Sequence, residues 1–354
     1  MDSTRPVTEA AAKMGMWKRR SPGIFEPLDV GGYNYLYKKY ESDHESYPDR
    51  IMVGTESHAN KALINFSLAE KHKYVIGDFV WTAMDYMGEA GLGHNRLDTA
   101  EIYKHNMGWP WFNAYSGDLD LIGNKKTPSY YRDVVWRNRS IVLVVHSPIP
   151  DGMVENIPEF GWPDEILSWT WPGAEDKPLQ VRVFSRAPLV RLYLNGKVID
   201  EQAINEKDII ATFNVPYQPG VLKAVNVENG KETDAVELQT TGKPKSIRLT
   251  ADRSTINASR NDLSYVSVEI IDSEGNVVPY VSDIEVHFSI SGNGEIAGVG
   301  NGNPIDVSSF QQPKKKVFQG KGLVIIRPKG KAGEIILQAK ATGLEGSAVE
   351  IVSQ

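Results

Sequence analysis

The sequence predicts a multidomain chain in which an α/β part precedes two all-β parts. About half of a (β/α)8 barrel is expected over residues 1–137, an immunoglobulin-like β-sandwich over 138–241, and a second, invasin-like immunoglobulin-type sandwich over 242–354. Three observations point there. Short β-rich runs alternate with helical stretches in the first part, the pattern of βα units. All eight tryptophans, from Trp17 to Trp171, lie in the first half of the 354 residues. From about Ser140 onward, runs of alternating apolar and polar residues are punctuated by Asn-Gly, Pro-Gly and similar turn pairs, the mark of small antiparallel sandwiches.

Four strands are expected in the first part, at residues 5–8, 29–35, 50–55 and 74–81. Between Glu56 and Tyr74, the residues Ala59, Leu63, Phe66, Leu68 and Ala69 fall close to helical spacing, with Lys61, Glu70 and Lys71 left for the wet side. The fourth run, YVIGDFVWTAMDY, is apolar on both faces until Trp81 and Asp85, as a fully buried parallel strand should be. A closed barrel needs about 200 to 250 residues, so only about half of one fits. The third run, RIMVGTES, drives straight into Glu56. Barrel chemistry sits at the C-terminal ends of strands, which makes Glu56 the candidate nucleophile. The competing explanation is a glutamate that forms a surface ion pair or favours the start of the following helix.

In the second part the runs SIVLVVHS, LQVRVFS, VRLYLNGKVID and VLKAVNVENGKE supply strands, and a further set follows Gly242-Lys243-Pro244: SIRLTADR, YVSVEIIDSEGN, IEVHFSIS, GLVIIRPK and IILQAKAT. Nothing in these modules converges on a chemical site.

The net charge of −6 comes from interspersed acids and bases. Only Lys314–Lys316 stands out, and it reads as a solvated loop, so no basic face argues for nucleic acid. No run approaches a membrane span. Zero cysteines remove disulfides, cysteine zinc sites and thiol catalysis. The histidines lack paired ligand spacing, so neither a metal nor another cofactor is expected. The first residues, MDSTRPVTEAAAKMG, contain no apolar core of a signal peptide.

The succession DSTRPVT, DVGGYNY, RIMVGTES, GDFVWTAMDYMGE and PWFNAYSGDLDLIGNKKTPSYYRDVVW resembles the second half of the catalytic barrel of glycoside hydrolase family 2, and in particular its β-galactosidases from gut Bacteroidetes. RLYLNGK in the first sandwich and GVGNGNP with VFQGKGLVIIRP in the second extend the resemblance over essentially the whole chain. It implies that the chain begins near barrel strand five, with earlier domains and strands one to four upstream. It also implies a periplasmic or secreted parent enzyme, an oligosaccharide or glycoside substrate, and retaining hydrolysis of terminal β-galactosides.

On this resemblance Glu56 matches the nucleophile at the end of strand seven. The acid/base belongs to an Asn-Glu pair at the end of strand four, and no Asn-Glu precedes Glu56 here. Tyr35 matches a tyrosine beside the nucleophile, its other explanation being a barrel-packing aromatic. Trp81 matches an indole wall of the sugar subsite, or else is a core Trp. Asp85 and Glu89 either bond sugar hydroxyls or are ordinary loop carboxylates. His58, at an unfamiliar offset, has a weak subsite role or a structural one. Trp111, with Trp109, either lines a substrate groove or packs the barrel on the sandwich, and Asn113 and Asp118 are sugar contacts by proximity only. Trp162, Trp169 and Trp171 lean towards packing. A half barrel leaves two edge strands and an open inner face, so homo-oligomerisation or complementation by an N-terminal half is expected. The alternative to an enzyme is a non-catalytic carbohydrate-binding or assembly module.

Overall fold

A computed structural model describes residues 4–12, 23–100, 108–205 and 207–354. Its first part is a four-stranded sheet, β1 (Thr8–Ala11), β2 (Val30–Asn34), β3 (Met52–Ser57) and β4 (Val75–Val80), in sequential order and parallel throughout. β1 is displaced to the C-terminal side of the expected residues 5–8; the other three fall where expected to within two residues or so. Between β2 and β3 runs α1 (Tyr40–Ser46), and between β3 and β4 runs α2 (Ala62–Lys71), entered through a short 3-10 turn at Ala59–Lys61. Parallel neighbours need such crossovers because each strand must return to the same end before pairing. A third helix, α3 (Thr127–Val135), starts with Pro128 in its first turn, where a missing N–H costs nothing.

β4 corrects one expectation. It is not buried on both faces: Ile76 is 62% and Phe79 65% exposed. β4 lies at the margin of the sheet, so no further strand covers it among the described residues. Gly32 and Gly54 explain how β2 and β3 close up. A Cβ on Gly32 would lie 2.3 Å from the Glu9 carbonyl oxygen, and one on Gly54 would lie 2.7 Å from Asp78 Oδ1 and 2.9 Å from the Tyr40 hydroxyl.

Most of the rest is β-structure in two pairs of facing sheets, antiparallel except where Thr255–Ile256 pairs parallel with Val352–Ser353. In the first pair, Ile141–His146 and Pro178–Ser185 lie centrally in one sheet, and Leu189–Leu194 with Val221–Glu228 in the other. Their alternating residues meet in a core that includes Leu143, Val181, Leu192, Phe213 and Leu222, with the fully buried Trp169 at one end. The Trp169 indole donates to the Gln218 carbonyl at 2.9 Å, which satisfies its one polar atom. The second pair encloses Val266, Val268, Val324, Ile326, Ile335 and Leu337. Lys314–Lys316 is not the solvated loop its composition suggests. It forms an edge strand pairing with Glu285–His287, and the buried Lys315 ammonium reaches Asp306 at 3.2 Å.

A separate apolar cluster joins the first part to the first sandwich: Leu63 of α2 and Tyr131, Val134 and Val135 of α3 pack with Val142, Val144, Phe184 and Ile209. A polar joint lies nearby. His146 Nε2 donates to Glu155 Oε2 at 2.8 Å and its Nδ1 meets the Ser147 carbonyl at 2.6 Å, while Glu155 Oε1 accepts from Asn95 at 2.7 Å. Burial pulls the His146 pKa down, but the Glu155 and Ser147 bonds and the Glu155 charge outweigh it and leave it raised. Burial likewise opposes the bonds that leave Glu155 lowered. A raised histidine contributes stability that is present below the ordinary histidine range and is lost as pH rises through the folded value. The melting-temperature advantage of the wild type over His146→Gln should therefore shrink as pH rises from below the ordinary histidine range to above it, as followed by circular dichroism.

Candidate functional site

The β2–β3 ladder slips by one residue just before its end: Tyr33 pairs with Gly54, but Asn34 pairs with Glu56. The β3–β4 ladder also shifts between Gly54 and Ser57. Such bulges re-aim side chains at the rims of sheets. Here they set Glu56, half-buried, at the last turn of the pleat. Thr55 is the residue skipped, and its hydroxyl donates to Asn34 Oδ1 at 2.5 Å.

Tyr35 follows β2 with φ 55°. A left-handed tyrosine costs on the order of 1–3 kcal/mol unless its surroundings enforce it. Its N–H donates to the Glu56 carbonyl at 2.7 Å, and its hydroxyl lies beside the Glu56 carboxylate. Burial first, then the Glu56 contact and charge, push the Tyr35 phenol well above the ordinary tyrosine range, so it keeps its proton. Trp81 follows β4, its N–H donating to the Ser57 carbonyl at 2.8 Å, and the Trp81–Thr82 peptide is cis. Its ring meets Tyr86 edge to face at 5.7 Å. Tyr86 bonds Glu89, and burial followed by Glu89 pushes the Tyr86 pKa up to about 12, with Glu56 adding to the shift. Glu89 also carries a positive φ, 35°. Glu56, Tyr35, Trp81, Tyr86 and Glu89 thus form one electrostatically connected group.

His58 stacks on Tyr35 at 4.4 Å, and Phe160 packs edge-on against both rings. His58 Nε2 lies 3.2 Å from Glu159 Oε1. Burial, aided by Lys61, nevertheless lowers the His58 pKa, and Glu159 is largely exposed. We therefore read the contact as one made by a neutral imidazole rather than an ion pair. Sequence reasoning missed Tyr86, Glu159 and Phe160. The last two arrive from the first sandwich, just over a hundred residues beyond Glu56, and no local pattern signals that.

Two expected residues join other networks. Asp85 is buried, with both carboxylate oxygens on Lys126 Nζ at 2.9 and 3.1 Å and a third bond from the Gly117 N–H at 2.8 Å. Burial pushes Asp85 up to about 6 and pulls Lys126 down, while the pair contact opposes both. Trp111 lies over His94 at 3.6 Å and meets Tyr115 at 6.1 Å. Asn113 is fully buried and Asp118 pairs with Arg132 at 2.8 Å; each keeps one oxygen without a hydrogen-bond partner, but that oxygen is shut away from solvent. No group of three or more His, Asp or Glu side chains among the described residues is arranged to hold a metal ion. No helix among them is long and apolar enough to cross a membrane.

Residues 247–350 match the glycoside hydrolase family 2 C-terminal domain 5 family, and residues 176–234 match a domain of unknown function, DUF4982. A β-galactosidase from Bacteroides ovatus is 29% identical, the match covering 100% of this chain and 42% of that protein. A putative β-glucuronidase from Formosa agariphila is 27% identical over 74% of this chain and 23% of its own length. The crystal structure of a glycosyl hydrolase family 2 member from Bacteroides cellulosilyticus superimposes with a TM-score of 0.89 at 36% identity, over 100% of this chain and 45% of that one. The chain spans less than half the length of these relatives. Over its full length it corresponds to the C-terminal portion of glycoside hydrolase family 2 proteins.

Proposed function

We propose that Glu56 is the nucleophile of a retaining glycosidase acting on terminal non-reducing β-D-galactosides. One observation carries this: a strand-end glutamate set by two ladder slips, beside a half-buried phenol and linked through Tyr86 to an indole. In that chemistry the Glu56 carboxylate attacks the anomeric carbon as the glycosidic bond breaks, and water then releases the sugar from the glycosyl-enzyme. Trp81 forms a wall for the apolar CH face of the sugar, and Glu89 accepts from its hydroxyls. Tyr35 steadies the Glu56 charge, and His58 supports the Tyr35 ring. Asp85 holds the loop after β4 through Lys126. The four parallel strands are the second half of a (β/α)8 barrel, followed by the two sandwiches of residues 138–241 and 242–354.

Protonation of the leaving group by a general acid is commonly worth about 10²- to 10⁴-fold. An activated leaving group bypasses that need, which defines the test. Intact mass after incubation with a 2-deoxy-2-fluoro-galactoside bearing a good leaving group should show one adduct, mapping to the peptide that contains Glu56. Labelling by the glucuronide analogue instead would keep the mechanism and reassign the sugar. No adduct on folded protein would overturn the assignment in favour of a carbohydrate-binding or assembly module.

Tyr35→Phe should slow labelling about tenfold, the worth of a hydrogen bond to a charged group. The maximal rate should fall, not the probe concentration that half-saturates it. The uncovered Ile76 and Phe79 make the isolated chain self-associate, which light scattering would show as mass above the 39.3 kDa monomer.

A further inference from the structure

After β4 the chain runs from Trp81 through Thr82, Ala83 and Asp85 to Tyr86, and residues 113–119 lie alongside it. The Asp118 N–H donates to the Thr82 carbonyl at 3.0 Å, the Leu119 N–H to the Ala83 carbonyl at 2.9 Å and the Asp85 N–H to the Leu119 carbonyl at 2.9 Å. Tyr86 and Met87 pair antiparallel with Ala114 and Asn113. The two segments are in close contact: a Cβ on Gly117 would lie 2.2 Å from the Asp85 nitrogen. Trp81, Tyr86 and Glu89 therefore take their place from this supporting segment as well as from β4.

The supporting segment in turn rests on the second sandwich. A Cβ on Gly302 would lie 2.3 Å from Asp120 Oδ2, and one on Gly300 would lie 3.1 Å from Ile122 Cγ2. Beside them the Phe112 N–H donates to the Pro304 carbonyl at 3.4 Å, and the Phe112 ring meets Phe310 edge to face at 6.3 Å. Both sides of this seam are pinned. Asp120 Oδ1 accepts from the Ile122 and Asn124 N–H groups at 3.0 and 2.8 Å, and its Oδ2 accepts from the Asn124 amide at 3.0 Å. Across from it the Asn301 amide donates to Asp306 Oδ2 and to the Lys316 carbonyl, both at 2.8 Å, and Asn301 Oδ1 accepts from the Asn303 N–H at 3.0 Å. Close-packed contacts between such partners transmit a displacement rather than absorb it. Asp120 is the residue after Leu119, whose backbone holds Ala83 and Asp85.

We propose that Gly302 is a positioning residue: through Asp120 and Leu119, the second sandwich sets where the Trp81 indole stands relative to Glu56. The effect on a sugar, though not the placement of the indole, rests on the reading of Glu56 given above. The test uses the full chain labelled with fluorotryptophan, the Trp81 line in the fluorine NMR spectrum being identified by its absence in Trp81→Phe. Gly302→Ala should move the Trp81 line by more than its width. It should also raise the fluoro-galactoside concentration that half-saturates labelling about three- to tenfold, the scale of one aromatic contact. The maximal labelling rate should stay unchanged, because Glu56 and Tyr35 are set by β2 and β3. Where Gly302→Ala loses its fold, Phe310→Ala is read in its place; that ring is 36% exposed and its removal severs the Phe112 contact. Val268→Ala is the control. It loosens the core of the same sandwich and should lower the melting temperature while leaving the Trp81 line in place. An unmoved Trp81 line in the folded seam variant, an equal movement in Val268→Ala, or a fall in maximal rate at unchanged half-saturation would each overturn the proposal. Failure of the unsubstituted chain to label would overturn the reading of Glu56 instead, and the Trp81 line alone would then decide the role of Gly302.

Discussion

Glu56→Gln is expected to lose covalent labelling by the activated fluoro-galactoside altogether, with turnover of an activated aryl galactoside falling on the order of 10³-fold or more. The amide has nearly the shape of the carboxylate but no charge with which to attack carbon. Its fold should be unaffected, because the ladder bonds of β3 use backbone groups alone. The Glu56 side chain is only half-buried and the Tyr35 hydroxyl can still donate, now to the amide oxygen. Unchanged circular dichroism and melting temperature therefore accompany the loss. The experiment also discriminates between two carboxylates. Glu89 lies in the same electrostatic group, and an adduct that persists in Glu56→Gln and maps to Glu89 would transfer the role to it.

Lys126→Met should be among the most destabilising single changes, costing about 3–5 kcal/mol near neutral pH. The ammonium bonds both Asp85 oxygens, donates to the Tyr115 carbonyl at 2.8 Å and lies 3.6 Å over the Tyr115 ring. Methionine fills the volume but leaves a buried carboxylate with only the Gly117 N–H. The cost should depend on pH. Burial already holds Asp85 up to about 6 in the intact pair, and without the cation it rises further. A raised carboxylate contributes stability that is present at low pH and is lost as pH rises through the folded value. The wild-type advantage over Lys126→Met should thus be smaller at about pH 5 than at about pH 8, measured by urea unfolding at each pH.

Local pattern carried a good deal of this. The alternation of RLYLNGK and its neighbours located the sandwich strands because one face of each is dry, and period two then leaves a plain trace. The apolar run into Glu56 located β3 and its terminal carboxylate for the same reason. β4 was misread because an apolar strand at a sheet margin has the same composition as one inside it; only its neighbours differ. Lys314–Lys316 was misread because three charges look solvated unless the distant Asp306 and Glu285 are known to face them. Asp85 and Trp111 were grouped with Glu56 by closeness in sequence. The chain turns after β4, and Asp85 is drawn instead to a lysine 41 residues away.

The apolar cluster that joins α2 and α3 to Val142, Val144, Phe184 and Ile209 has a mechanical consequence. Glu159 and Phe160 hang from the sandwich, whereas Tyr35 and His58 hang from the parallel sheet, so their registry is set by the seam between the two. The sandwich acts as a jig: it fixes the distance at which one half of the pocket is presented to the other. A protease nick or a hinge at residues 137–140 would leave both halves folded yet blur that alignment, and the Glu56 surroundings would loosen before any strand melted.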